Sequence, residues 1–262
     1  METVFGITQY AMAFGLGVVV GTIVNVVSRH FLNSDSNGRN SKPQSQNLKA
    51  FLPVIARILL HPVSRQQSNP DGVTRYTRSE FMIELICGAG SVAIFDKVGF
   101  SSSFFALAFF CASLLAIFRI DLKKMIIPDA ISVNGVWLGF LLSTLGSIPS
   151  MDWKSSLYGM VSGVVMLYIP AYAYRLIKGS DGLGGGDIKL MSMVGAFTGI
   201  QGVTFTLFVA SLAGSLVGLT GFMYRRISAN SLIPFGPFIS SSAIIYVFWG
   251  QTIIHELLDL LV

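Results

Sequence analysis

Four of the 13 acidic residues stand where solvation alone does not explain them. Asp121 closes an apolar run in RIDLKKMIIPD, Asp129 opens the next one, and Asp181 and Asp187 fall in GSDGLGGGDIKL. An ionised carboxylate costs ~2.5–3.5 kcal/mol at the centre of a membrane helix and less toward its edge, so an acid there needs a partner or a task. Two carboxylates brought together in a partly dry place do not both ionise readily. One then keeps a proton while the other takes one from water, which is how aspartic proteases hydrolyse an amide without a metal or a covalent intermediate. Asp121 and Asp187 are the candidate pair. Asp129 follows Pro128 and precedes an apolar run, which is where a helix N-cap belongs. Asp181, between Ser180 and Gly182, suits a turn. The plain alternative for Asp121 and Asp187 is a solvated acid beside Lys123, Lys124 or Lys189.

Three glycines, Gly184, Gly185 and Gly186, run directly into Asp187. They cost backbone entropy and leave no side chain above the backbone beside the acid. An extended peptide can lie there and present its amide. The partner carboxylate must come from another span at the same depth, and Asp121 meets that condition if its span packs against that of Asp187.

The elements that must position these acids are membrane helices. Of 262 residues 52% are hydrophobic and only 12% charged, half the charge of an ordinary soluble domain, and the mean hydropathy is +0.66. That excludes a soluble enzyme, a secreted disulfide scaffold and a disordered regulator. It also makes the net charge of +5 a matter of topology, with no nucleic-acid partner expected. Apolar segments fall at about 5–27, 81–95, 103–120, 130–148, 155–174, 188–200, 202–223 and 234–258, the second and sixth short for a hydrocarbon core that takes about 20 helical residues. The fold class is therefore all-α, a polytopic bundle of about eight transmembrane helices. The first run lacks a basic segment before it and reads as a span rather than a removable signal peptide.

Lys and Arg set the orientation. With the amino terminus outside, 16 of the 18 basic residues face inward and only Lys97 and Lys154 lie outside. All four acids then approach the cytoplasmic face. The chain divides into a first span (1–27), a cytoplasmic loop (28–78) and a membrane core (79–262). Within the loop, Leu48 to Val63 is apolar but interrupted by Pro53 and Pro62, a pattern for lying along the inner surface. Cys87 and Cys111 sit in apolar runs without metal-ligand spacing, so no metal site is expected. Asn25, a polar residue in the first span, reads as an interhelical hydrogen bond.

Asp121 with the following Ile126-Ile127-Pro128-Asp129, the GxGD of Gly184 to Asp187 continued by Ile188-Lys189-Leu190, and Pro234-Phe235-Gly236-Pro237 together resemble the bacterial type IV prepilin peptidases. Gly21-Thr22-Ile23-Val24-Asn25-Val26 with Arg29, and Arg75-Tyr76 followed by Glu80, are similar to that family's amino-terminal pattern. The resemblance implies an inner-membrane aspartic endopeptidase. It would remove the short basic leader of prepilins or pseudopilins at the cytoplasmic face, with both termini periplasmic. By the same resemblance Asp121 and Asp187 are catalytic, and an exchange between Asp121 and Asp129 is the alternative within the motif. Gly184 and Gly186 would shape the loop at Asp187, and Lys189 would charge-stabilise the carboxylate or anchor the membrane edge. Pro234, Gly236 and Pro237 would break the last helix near the site or serve plain helix packing there, and Asn25, Arg29 and Glu80 would be substrate or loop contacts.

Many members of that family carry two C-x-x-C pairs in the first inner loop and also methylate the new amino terminus. Here that loop holds no cysteine, so a tetracysteine zinc site is impossible. The peptidase needs no cofactor, and S-adenosylmethionine enters only if methylation is retained. The expected partners are the pilin substrate and the lipid bilayer. The competing classes are a proton- or ion-coupled transporter, which also uses intramembrane carboxylates and broken helices, and a structural subunit of a secretion machine. Against the transporter stand the placement of the acids at the inner edge, the lack of a visible repeat, and the expectation that no other span carries a midplane charge. Preflagellin and presenilin-type peptidases share the GxGD setting, but the long first inner loop favours the prepilin group.

Overall fold

The computed structural model describes residues 2–33, 78–179, 184–223 and 234–259. The described residues are helical, with no strand among them. The inner-loop segment Leu48 to Val63, the Arg75-Tyr76 pair and Asp181 lie outside them. Two compact units form, Met1–Gly99 and Phe100–Val262.

The first unit is a pair of helices, α1 (Glu2–Asn33) and α2 (Arg78–Val98). Their backbones nearly touch because glycines face the contact. A β-carbon at Gly21 would come within 2.6 Å of Glu84 Cα, and one at Gly17 would collide with the Cys87 carbonyl. Gly17 and Gly21 are four residues apart, so they share one face of α1, and small residues at that spacing are how membrane helices approach closely. Cys87 is buried in this contact. Down the same seam Thr22 Oγ1 and Asn25 Nδ2 donate to Glu84 Oε1 at 3.1 and 3.2 Å, and Asn25 also reaches the Glu80 carbonyl. Asn25 is thus the interhelical bridge its position suggested.

The second unit holds α3 (Ser102–Lys124), α4 (Asp129–Thr144), α5 (Trp153–Lys178), α6 (Gly185–Met223) and α7 (Gly236–Ile245), the last continuing through a π-helical turn, Tyr246–Gly250, into α8 (Gln251–Asp259). By length and composition five described stretches can cross a membrane: 6–32, 102–124, 153–178, 185–220 and 236–256. The 36 residues of the fourth would measure ~54 Å as one rod, far beyond a core of ~30 Å. The conflict is resolved at Gly199, whose φ of 67° and ψ of −171° break the helix.

Contacts on either side show that the chain reverses there. In the first arm of α6, Gly195 meets Gly159 and Gly163 lies against the Met191 carbonyl, so this arm runs antiparallel to α5. In the second arm, Gly202 and Phe205 meet Tyr246 while Gly214 lies against Phe235 and Phe238, so it runs antiparallel to α7. The first arm and α7 start at one level, since Gly186 and Gly236 both contact Ile127. The core between them is dry: Phe110 stacks on Phe197 with centroids 4.4 Å apart, and Met191, Met193 and Val194 are fully buried. The opposite face of α5 exposes Tyr158, Val161, Val165, Tyr168 and Ile169, an apolar surface suited to lipid.

Two boundaries depart from expectation. The apolar run 130–148 does not stay helical, because α4 stops at Thr144 and Gly146 takes φ 66°, with the Ser147 N–H bonded back to the Leu142 carbonyl. Pro234-Phe235-Gly236-Pro237 does not break the last helix. It starts it, with Phe235 as N-cap and Pro237 in the first turn, where a missing N–H costs nothing.

Candidate active site

Asp121 and Asp187 reach the site from opposite helix ends. Asp121 is in the final turn of α3, where its carbonyl accepts the N–H of Met125, a left-handed C-cap residue with φ 53°. Its side chain is 4% exposed and accepts the backbone N–H of Gly236 at the start of α7. Asp187 occupies the first turn of α6 and is 8% exposed. Its N–H donates to the Gly184 carbonyl at 3.1 Å, while its carboxylate accepts the Gly184 N–H. The carboxylate's bond back to the Gly184 N–H is the return half of a capping box, with Asp in place of Glu; glycine has no side chain to supply the other half. The glycine run therefore starts the helix that carries the acid. The two carboxylates lie within electrostatic reach of each other.

Ile127 fills the middle of the site. Its side chain packs where a β-carbon at Gly186 or Gly236 would be, 2.9 Å from the first position and 3.1 Å from the second. Gly186 thus makes room for the protein's own isoleucine rather than for a substrate. Gly185 faces open space, and a β-carbon at Gly184 would meet only Asp187 Oδ2, at 3.2 Å. Among the described residues, the uncovered backbone beside the acid is therefore at 184–185.

Asp129 stands apart from the pair. It is not an N-cap: Pro128 holds that position and Asp129 is the first residue of α4. A carboxylate still suits that positive helix end, but the Asp129 side chain is committed to Lys189, whose Nζ lies 2.8 and 2.7 Å from the two oxygens. Lys189 accordingly salt-bridges Asp129. In the first unit Arg29 forks onto Glu80 through Nε and a terminal nitrogen, and Glu80 is 3% exposed.

The sequence reading missed two residues. Glu84 is a partly buried acidic residue inside α2. An acid one turn after Glu80 was the available signal. Ile127 carried no signal, being one apolar residue in an apolar run.

The family model of the type IV leader peptidase family matches residues 108–219, which span both aspartates. Over that stretch the chain is similar to this family. It is 29% identical to the prepilin leader peptidase/N-methyltransferase of Burkholderia pseudomallei (strain 1026b), over 92% of this chain and 86% of the relative. It is 33% identical to the protein of the same name from Pseudomonas putida, over 69% and 62% of the two chains. The corresponding Pseudomonas aeruginosa protein is 30% identical over 68% and 61%. No solved structure gives a significant match.

Proposed function

We propose that the protein is a membrane aspartic endopeptidase that cleaves the short basic leader of a prepilin or pseudopilin, with Asp121 and Asp187 as its catalytic pair. The observation that carries this reading is the convergence of the two buried carboxylates, each held by a glycine backbone N–H, with no other described residue over the backbone at 185. In the reaction the pair shares one proton. The ionised member takes a proton from water, which attacks the scissile carbonyl, and the protonated member polarises that carbonyl. The departing amine is then protonated in turn.

The positive-inside distribution and the reversal at Gly199 support eight crossings in the bacterial inner membrane, with both termini periplasmic and the acids at the cytoplasmic face. The substrate's apolar helix then lies laterally against the bundle while its leader reaches the pair. The surroundings are basic, so affinity for a basic leader comes from the apolar helix rather than from charge steering.

S-adenosylmethionine would be the methyl donor of the second activity in the relatives' names. No residue of this chain is assigned to it, and the loop 28–78 has no thiolate with which to hold a zinc staple.

The test is cleavage of a model prepilin by the purified protein and by Asp121→Asn and Asp187→Asn, with mass spectrometry of the product's amino terminus and S-adenosylmethionine present. Cleavage by the wild type alone supports the pair. Equal behaviour of all three proteins would refute it, and a methyl-sized increment in mass would add the second activity.

A further inference from the structure

We propose that the Lys189–Asp129 ion pair is a positioning clamp that fixes Asp187 relative to Asp121; the inference rests on the peptidase reading above. Asp129 moves with Asp121. The turn between them is short and stiff, with Met125 left-handed, Ile127 wedged against Gly186 and Gly236, and Pro128 of fixed φ leading into α4. Lys189 in turn moves with Asp187, two residues back on the same helix.

Successive helical residues are ~100° apart, so Lys189 points ~200° around α6 from Asp187. A bond from Lys189 to α4 therefore sets the rotation of the first turn of α6, and with it the direction in which Asp187 faces. Both oxygens of Asp129 are engaged, at 2.8 and 2.7 Å, which fixes the ammonium more narrowly than a single contact would. Lys189 and Asp129 side chains are 44% and 41% exposed, so the pair adds little to folding. A displacement of ~1 Å at the reacting groups, by contrast, costs on the order of 100-fold in rate. The two are positioning residues and do not touch the substrate.

The experiment is a double-mutant cycle on the full-length protein in detergent, with Asp129→Asn, Lys189→Met and the double variant, reading kcat and KM for prepilin cleavage. Each single variant lowers kcat about fivefold with KM within about twofold, and the double is no worse than either single. The charge exchange Asp129→Lys with Lys189→Asp recovers kcat to within about threefold of wild type, while Asp129→Lys alone loses more than tenfold. Thermal midpoints report whether each variant is folded.

Wild-type kcat in the neutral single variants, or losses that multiply in their double, would overturn the clamp. So would a folded charge-exchange variant no more active than Asp129→Lys. A wild-type protein that does not cleave would instead sink the peptidase reading, with Asp187→Asn as the inactive reference.

Discussion

The Asp121 carboxylate occupies the space that a side chain at Gly236 would need: Oδ2 lies 2.6 Å from where that β-carbon would be, and the Gly236 N–H bonds the same group. The PFGP segment is thus the third wall of the acid pair, contributed by a helix start. Gly236→Ala forces the carboxylate or Ile127 aside, and cleavage falls on the order of 100-fold if the displacement approaches 1 Å. Gly185→Ala meets nothing among the described residues. It keeps the thermal midpoint of the wild type and raises KM if the substrate backbone lies there. Steady-state kinetics of the two variants checks both, and an unchanged rate in Gly236→Ala would remove Gly236 from the site.

Gly159 and Gly195 have no such latitude. A β-carbon at either position would overlap the other's carbonyl oxygen, backbone against backbone. No flexible side chain is there to give way, so α5 and the first arm of α6 must separate. Gly195→Ala destabilises by ~3 kcal/mol or more, at the upper end of overpacking costs, whereas Gly90→Ala, which faces open space, is near neutral. Thermal unfolding in detergent separates the two.

Much of this architecture is legible in the residues, for stated reasons. The glycine–aspartate run marks the start of a helix because backbone freedom is a local property. The division of one long apolar stretch near residue 200 follows from length against bilayer thickness, and the break falls at Gly199. What was not legible is who fills each gap. The space above Gly186 reads equally well as a substrate groove or as a seat for Ile127, since only tertiary packing decides it. Asp129 as a cap was a sound local inference that a residue 60 positions away, Lys189, overrides. The end of α4 at Thr144 hid within an apolar run that continues to Ile148, because Gly146 ends the helix through its backbone rather than through polarity.

The Arg29–Glu80 fork predicts an asymmetric response. Glu80 is almost fully buried, whereas the Arg29 side chain is 42% exposed. Arg29→Met takes the forked guanidinium away from a buried carboxylate and costs ~3 kcal/mol. Replacing both by Met removes the charge as well and recovers most of that loss. Equal destabilisation of the single and double variants in denaturant unfolding would show that the charge pair is not what Arg29 contributes.

In the second unit, Asp152 caps α5. Its Oδ1 accepts the Ser155 N–H at 2.8 Å, and the Ser155 hydroxyl and backbone N–H together hold this carboxyl below the ordinary carboxylate range. A value lower in the folded than in the unfolded state means a contribution that is complete above ~3.9, the unfolded value, and lost as pH falls through the folded one. Asp152→Ala therefore melts below the wild type at pH 7. The gap narrows as the pH drops below about 4 and closes once the carboxylate is protonated in the folded state as well. Melting curves at a series of pH values check this, and a gap of constant size down to pH ~2 would mean that Asp152 acts through packing rather than through its charge.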